Sequence, residues 1–409
     1  MNPETEHPVH LVGTGLDPAR LPPEAQRIVA EAEVLIGGRR LLEALPDHPA
    51  RKVIIRAPVT EVLEEADRES RKGGRVVVLA DGDPMFFGIG KRLVRVLGSE
   101  RVVIHPNVSV LQAAAARIKT PWEDVRSVSL HGRPDLWPLR RILARGRRVG
   151  VHTDAVFTPA RIAGDLRGCG VDGYRMHVFE DLGLETERVR AFEDLDRAAE
   201  GTFSGLSFVL LEPVRPPAVP LAAGLDDDLL IHENGLITKR EVRSVGLGLL
   251  GLGRDHVVWD LGAGSGAVAL EASAAASDGK VFAVERDPER VEQIRRNIRR
   301  TGAYGVEPVQ GEMPACLEAL PDPDRVFLGG GVRREGVLEE VTARLRPGGR
   351  IVAHTVLLGS LQRALDILEQ AGWSPAVTQV QVARSRPLSG DLRLEALNPV
   401  FVVSAGKPM

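Results

Sequence analysis

The stretch Val257-Val258-Trp259-Asp260-Leu261-Gly262-Ala263-Gly264-Ser265-Gly266 restricts the possible folds of this chain more than any other. Its apolar residues suit a buried strand with Asp260 near the carboxyl end, and glycines at alternate positions let the backbone turn tightly and approach a ligand. The run Ala267 to Ala276 then starts a helix. Strand, glycine turn and helix in that order make a nucleotide cradle and imply an α/β fold.

The regions on either side repeat the alternation. After the cradle, strands are expected at Val257–Leu261, Val281–Glu285, Val306–Gln310, Arg325–Leu328, Arg350–Thr355, Ala376–Ala383 and Pro399–Ser404, with helices between the first six. The last two adjoin without a helix, as a terminal antiparallel pair would. Before the cradle, strands are expected at His10–Gly13, Val34–Ile36, Arg75–Ala80, Val102–His105, Ser127–His131, Val149–Thr153, Arg175–Glu180 and Ser207–Leu211. Helical patterns at Pro22–Ala32, Val59–Arg71 and Phe87–Leu97, an alanine-rich run to about Ile118, and Thr158–Leu166 alternate with them. Pro213 to Gly235 is rich in proline, glycine and aspartate and reads as an exposed linker between residues 1–212 and 236–409. Beyond it, Thr238 with Glu241 has the capping-box spacing for a helix to Leu250.

With 409 residues the chain holds roughly two to three domains at about 150 residues each. No apolar run is long enough to span a bilayer and no signal pattern occurs over Met1–Pro18, so a cytoplasmic protein without a membrane partner is expected. A formal net charge of −3 gives no reason to expect nucleic acid. Cys169 and Cys316 lie far apart and the ten histidines show no HExxH spacing, so no metal is expected.

Gly262-Ala263-Gly264-Ser265-Gly266-Ala267 also fits the looser dinucleotide pattern, and Glu285, roughly 20 residues on, can accept hydrogen bonds from the ribose of either NAD or S-adenosylmethionine. Asp260 separates the two, because a carboxylate there can meet a methionine ammonium but repels a pyrophosphate. Gly311-Glu312 follows the third strand, where contacts to the adenine end are expected. Leu345-Arg346-Pro347-Gly348-Gly349-Arg350-Ile351 is the turn and strand typical of class I methyltransferases.

The second half resembles the class I S-adenosylmethionine methyltransferases and, within them, the C-terminal domain of the decarboxylating precorrin-6Y methyltransferase family. The resemblance rests on Ile237-Thr238-Lys239-Arg240-Glu241-Val242-Arg243, the glycine loop, Pro321 to Gly331, Arg386-Pro387-Leu388 and Leu394 to Val400. The first half resembles the tetrapyrrole methylases, a fold of two α/β subdomains. That likeness is carried by Val12-Gly13-Thr14-Gly15, Leu35-Ile36-Gly37-Gly38, Ala80-Asp81-Gly82-Asp83-Pro84, Pro106-Asn107-Val108-Ser109, Ser129-Leu130-His131-Gly132-Arg133 and Glu180-Asp181-Leu182-Gly183.

These resemblances imply a fused cobalamin-pathway enzyme that methylates a tetrapyrrole at C-5 and C-15 and removes the ring-C acetate carboxyl as carbon dioxide, giving precorrin-8. They imply two S-adenosylmethionine sites per chain, with S-adenosylhomocysteine as product, and a homo-oligomer. Thr238, Asp260, Gly262, Ala263, Gly264, Ser265, Gly266, Glu285, Gly311 and Glu312 would hold one cofactor. Gly13, Gly15, Asp81, Gly82, Asp83, Thr153 and Asp154 would hold the other. An acid for decarboxylation is sought among His232, Glu233, Lys239, Arg243 and His354, and His131 and Arg133 could reach substrate in the first half. Arg243 and Arg386 could instead clamp substrate carboxylates. The cobalt-containing intermediate as substrate, or one catalytic half with the other an assembly module, are alternatives at this level. Met313 stands where this family usually has alanine, and Val332-Arg333-Arg334 is more basic than its pattern.

Overall fold

The computed structural model describes residues 7–233 and 235–409. The expected absence of a leader pattern therefore falls partly on residues outside the described ones.

The first sheet and its helices run β1 (Val9–Gly13), α1 (Pro23–Ala30), β2 (Val34–Gly37), α2 (Arg39–Glu43), β3 (Arg51–Ile54), α3 (Val59–Arg71), β4 (Val76–Ala80), α4 (Gly90–Leu97), β5 (Val102–His105) and α5 (Val110–Arg117). All strands are parallel, in the order β3-β2-β4-β1-β5. Successive side chains alternate faces. Leu11, Ile36 and Val78 pack with Leu63 of α3 and Leu93 of α4, while Val12, Leu35 and Leu79 pack with Val29 of α1 and Leu41 of α2. Burial on both faces makes β1, β2 and β4 near-continuous apolar runs.

The second sheet adds β6 (Arg126–Ser129), α6 (Trp137–Leu143), β7 (Val149–His152), α7 (Pro159–Gly168), β8 (Tyr174–Glu180), β9 (Arg188–Phe192), α8 (Leu195–Ala199) and β10 (Ser207–Pro213). Its order is β6-β7-β10-β8-β9, antiparallel from β7 onward. The edge strands β3 and β9 each carry two basic residues and exposed or half-exposed side chains, so no apolar run announces them.

The remaining elements are α9 (Arg240–Leu250), β11 (Val257–Leu261), α10 (Ala267–Ala275), β12 (Lys280–Glu285), α11 (Pro288–Thr301), β13 (Val306–Gln310), β14 (Arg325–Leu328), α12 (Val337–Arg344), β15 (Arg350–Thr355), α13 (Leu358–Gln370), β16 (Ala376–Val380), β17 (Ala383–Leu388), β18 (Asp391–Ala396) and β19 (Val400–Gly406). Seven of the strands form one sheet, β13-β12-β11-β14-β15-β19-β16, with β19 antiparallel to both neighbours as expected of the terminal pair. The expected single strand Ala376–Ala383 instead ends at Val380, and Ala383 opens a separate hairpin, β17–β18. That hairpin turns at Ser389 and Gly390, both at positive φ, and its β18 residues are all exposed.

The proline-rich stretch is not an exposed linker. Val219, Leu225 and Leu230 are buried, and the Gly224 and Leu225 N–H groups donate to the Glu271 carboxylate. Val219 N–H donates to the Arg300 carbonyl, and Asn297 bonds both the N–H and the carbonyl of Ile231. Too short of regular periodicity to read as an element, the stretch nevertheless wraps the second domain. The expected Thr238–Glu241 capping box is absent as well. Lys239 occupies the N-cap, and Asp227 of the wrap accepts the Arg240 N–H at 3.0 Å. Among the described residues no helix is long and apolar enough to cross a membrane.

Candidate active sites

Strand order reverses at β11, between β12 and β14, and ligands of open α/β sheets bind at the carboxyl ends of such strands. A pocket of about 240 Å³ lies there, lined by Gly262 after β11, Glu285 at the end of β12, Gly311 after β13 and Gly329 to Gly331 after β14. Gly262 has φ +70°, and a Cβ on it would come within 2.8 Å of the Gly330 nitrogen. Gly264 also has positive φ, with open space on its Cβ side. The loop is thus drawn onto its neighbour at one glycine and bare toward solvent at another, a cradle that admits a ligand backbone-close.

Glu285 is held by three amides. Its Oε2 accepts from Gly264 N–H at 3.0 Å, and its Oε1 accepts from Arg286 and Asp287 N–H at 2.9 and 3.2 Å. A carboxylate has about four acceptor positions, so with three amides bound this one keeps about one free for a ligand hydroxyl in the pocket. Ala263, Ser265 and Gly266 complete the loop; Ser265 gives its carbonyl to Asn297, and Gly266 packs against Ile294. Gly311 lines the pocket, whereas Glu312 borders the adjoining groove and pairs with Arg334 at 3.0 Å.

Asp260 departs from expectation. It is 1% exposed and does not line the pocket; its Oδ2 accepts the Ala269 N–H at 2.9 Å in the first turn of α10. Burial, aided by the Glu285 charge and opposed by that hydrogen bond, raises its pKa to about 7. Its physical job is to cap a helix from below the loop.

The candidate acids separate. Arg243 has no exposed surface; it pairs with Glu271 at 2.7 Å and Asp227 at 3.2 Å and donates to the Thr238 and Leu225 carbonyls. It can neither clamp a substrate carboxylate nor supply a proton, and Thr238 contributes a carbonyl to this structural knot rather than to the pocket. His354 lies against Phe327 and Gly246 with both ring nitrogens buried and unpartnered, and burial lowers its pKa to about 4. It is neutral at pH 7 and both of its nitrogens are buried, which argues against it as an acid. Arg386 pairs with Glu395 at 3.2 Å on the exposed hairpin and does not line the pocket. His232, Glu233 and Lys239 belong to the segment that Asn297 ties to the glycine loop, and Glu233 approaches the pocket residue Arg290 at 3.9 Å. Lys239 donates to the Gly235 carbonyl at 2.9 Å.

In the first half, a cavity of about 210 Å³ joins a cleft of about 740 Å³ between the two subdomains. Gly15, Asp81, Gly82 and Thr153 line the smaller space, and Asp81, Gly82, Asp83 and His131 the larger. Gly13 lies against Gly82 and Pro84 and fixes the two loops together. Asp83 and Asp154 spend acceptors on turns: Asp83 on Met85 N–H, Asp154 on Val156 and Phe157 N–H. The Phe157 bond leads the causes that lower the Asp154 pKa. His131 is 83% exposed with Asp154 at 4.0 Å, while Arg133 folds back onto the Ser129 carbonyl.

Several lining residues are not legible as site residues in the sequence. His152 borders both spaces in the first half, ringed by Phe86, Phe87 and Phe208, with Nε2 buried and unpartnered and its pKa lowered by burial to about 4. Arg286, Arg290, Met313 and Arg334 line the second-half pocket. Met313 and Arg334 carried a signal as departures from the family pattern, whereas Arg286 and Arg290 had only their position after the end of β12.

Residues 8–196 match the family described as Tetrapyrrole (Corrin/Porphyrin) Methylases, and residues 230–407 the family described as Precorrin methyltransferase domain. A precorrin-6Y C(5,15)-methyltransferase (decarboxylating) from Sinorhizobium sp is 36% identical over 390 residues, 93% of this chain and 92% of that protein. The chain belongs to the precorrin-6Y C(5,15)-methyltransferase family. A probable cobalt-precorrin-6B C(15)-methyltransferase (decarboxylating) from Sulfolobus acidocaldarius is 33% identical and matches 47% of this chain and all of that protein. A solved precorrin-6Y C5,15-methyltransferase structure from Geobacter metallireducens is 41% identical, covers 47% of this chain and all of its own, and superposes with a TM-score of 0.44.

Both departures from the family pattern fall on the second-half pocket. Met313 presents its side chain to the pocket and reaches the surroundings of Gly331. Arg334 adds a guanidinium to the same wall and is tied there by Glu312.

Proposed function

We propose that this protein methylates precorrin-6Y at C-5 and C-15 with S-adenosylmethionine and decarboxylates the ring-C acetate, giving precorrin-8. The observation that carries the reading is the 36% identity running through both halves to a relative of nearly the same extent. The relatives named for a cobalt-containing substrate match only 45–48% of this chain, whereas those matching 86–93% carry the cobalt-free name, which favours precorrin-6Y.

Two cofactor sites per chain fit the two cavities. Bound S-adenosylmethionine supplies an activated methyl group, so the chain has mainly to align donor and carbon, and alignment can supply roughly 7–11 kcal/mol. In the second half Glu285 would take a ribose hydroxyl at its remaining acceptor position while the bare glycine loop lets the ligand come close. Arg286, Arg290 and Arg334 are placed to meet carboxylates by charge-assisted pairing. The decarboxylated carbon needs a proton or a hydrogen-bond donor nearby, and His232 and Lys239, beside the Arg290–Glu233 contact, are the candidates for it. In the first half His131 stands at the cleft rim, where substrate would enter.

A cytoplasmic homo-oligomer completes the reading. Leu392 and Leu394 on β18 are 66% and 75% exposed on one face of the hairpin, which supports subunit contact there. Incubation with precorrin-6Y and S-adenosylmethionine, followed by mass spectrometry, should show a gain of two methyl groups and loss of carbon dioxide. An unchanged substrate mass refutes the reading, and one methyl without decarboxylation refutes the role of the second half.

A further inference from the structure

Helix α6 packs Leu139 and Leu143 with Val128 and Val151 of the first domain, yet its Trp137 and Arg140 pack into the second. Trp137 is 7% exposed and shares a core cluster with Trp259, Leu261 and Phe282; its ring meets that of Phe282 edge-on at 6.0 Å. Lys280 lies over the same indole at 5.1 Å and pairs with Asp135 at 2.8 Å. Arg140, 5% exposed, donates from Nε to the Tyr304 carbonyl at 2.8 Å, from Nη2 to the Val306 carbonyl at 2.7 Å, and from Nη1 to Glu307 at 2.5 Å. Arg141 and Arg145 add bonds to Ser277 and Asp278.

These contacts fall on one register line. Phe282 of β12 stands opposite Glu307 of β13, and three residues further along the same pair of strands Glu285 stands opposite Gln310. Immediately beyond come Gly311 and Met313, which with Glu285 line the second-half pocket. Strand β13 is the edge of its sheet, paired on one side only, and Arg140 takes the Val306 carbonyl at that edge. An edge strand held from one side can shift its end more readily than an internal one, so whatever braces it sets the shape of the loop that follows.

We propose that α6 is a brace supplied by the first domain to the second, and that Arg140 acts through β13 as a positioning residue for cofactor binding in the second-half pocket. The proposal rests on the reading of that pocket as an S-adenosylmethionine site. It makes the first domain a determinant of affinity at a site to which it contributes no lining residue.

The full-length chain is titrated with S-adenosylmethionine by calorimetry, as wild type and as Arg140→Ala, Arg140→Lys and Glu307→Gln, with Glu285→Ala identifying which binding event belongs to the second half. Coupling through neighbouring structure typically moves an affinity by about 2- to 30-fold, and Arg140→Ala should weaken the second-half site by that much while leaving the first-half site unchanged. Arg140→Lys should restore part of the loss, and Glu307→Gln, which keeps both carbonyl contacts, should show a smaller loss in the same direction. In turnover the KM for S-adenosylmethionine in the decarboxylating step should rise with kcat nearly constant. Equal affinity in all folded variants, or equal weakening at both sites, overturns the brace. A wild-type titration with no Glu285-dependent event overturns it together with the reading of the pocket, and is distinguishable because the fault then appears before any α6 variant is made. If Arg140→Ala does not fold, Glu307→Gln decides by the same criteria.

Discussion

Glu285 shows how much one side chain can carry. It closes the glycine loop through Gly264 N–H and still faces the pocket. Losing a hydrogen bond to a charged group costs roughly 1.5–3 kcal/mol, so Glu285→Ala should weaken S-adenosylmethionine binding at this site by about 10–150-fold in calorimetry. Unchanged affinity would remove Glu285 from the ribose contact. His354 gives a pH prediction at the same scale. Burial holds its folded pKa near 4, below the free value of 6.5. The unfolded chain therefore takes up a proton as pH falls below about 6.5 while the folded chain refuses it, so stability is intact above 6.5 and is lost down to about 4. His354→Leu should shrink the loss of unfolding free energy between pH 7 and pH 5 by about 2 kcal/mol, read from urea midpoints. The place of Glu285 at the pocket was legible because it ends the strand that follows the glycine loop. Asp260 was legible as a strand end only: sequence put a carboxylate near the loop, and only packing turned it toward Ala269 and away from the pocket.

At the scale of elements, α9 depends on a residue outside it. Asp227 accepts from the first N–H of the helix, from buried Arg243 and from Arg384 at 2.9 Å, while Glu241 also pairs with Arg384 at 2.6 Å. The Glu241 pKa is lowered chiefly by its hydrogen bond from Arg384. Asp227→Ala leaves Arg243 buried with one carboxylate instead of two, and breaking a buried pair costs about 3–5 kcal/mol. Thermal unfolding of the variant should show a Tm several degrees lower; an unchanged Tm would mean that Glu271 alone neutralises Arg243. The central strands β1, β2, β4, β11, β12, β14 and β15 stood out in sequence because both of their faces are buried and their apolar runs are nearly unbroken. Strands β3, β9, β17 and β18 did not, because an edge or a free-standing hairpin has a face with nothing to bury. The capping box at Thr238 had the right spacing and failed because a better acceptor arrived from residue 227.

For the whole molecule, the wrap of residues 214–233 decides where the second domain can be cut. Val219, Leu225 and Leu230 are buried in it, and burying such side chains stabilises by about 1.5–3 kcal/mol each. A chain of residues 214–409 should unfold cooperatively in denaturant, while 236–409, which also lacks Asp227, should have a markedly lower midpoint; equal midpoints would return the stretch to the status of a linker. The sequence alone determined the two α/β halves, the cradle, Glu285 and the family, because strand burial, glycine spacing and strand-end carboxylates are local patterns written in consecutive residues. The tertiary structure alone decided that Asp260 caps a helix, that Arg243 is sealed and the His354 nitrogens are buried, that His152 borders two cavities, and that α6 lies on β12 and β13. Each of those depends on which surfaces meet across long stretches of chain, and the identity of a side chain's neighbours is not encoded in its own spacing.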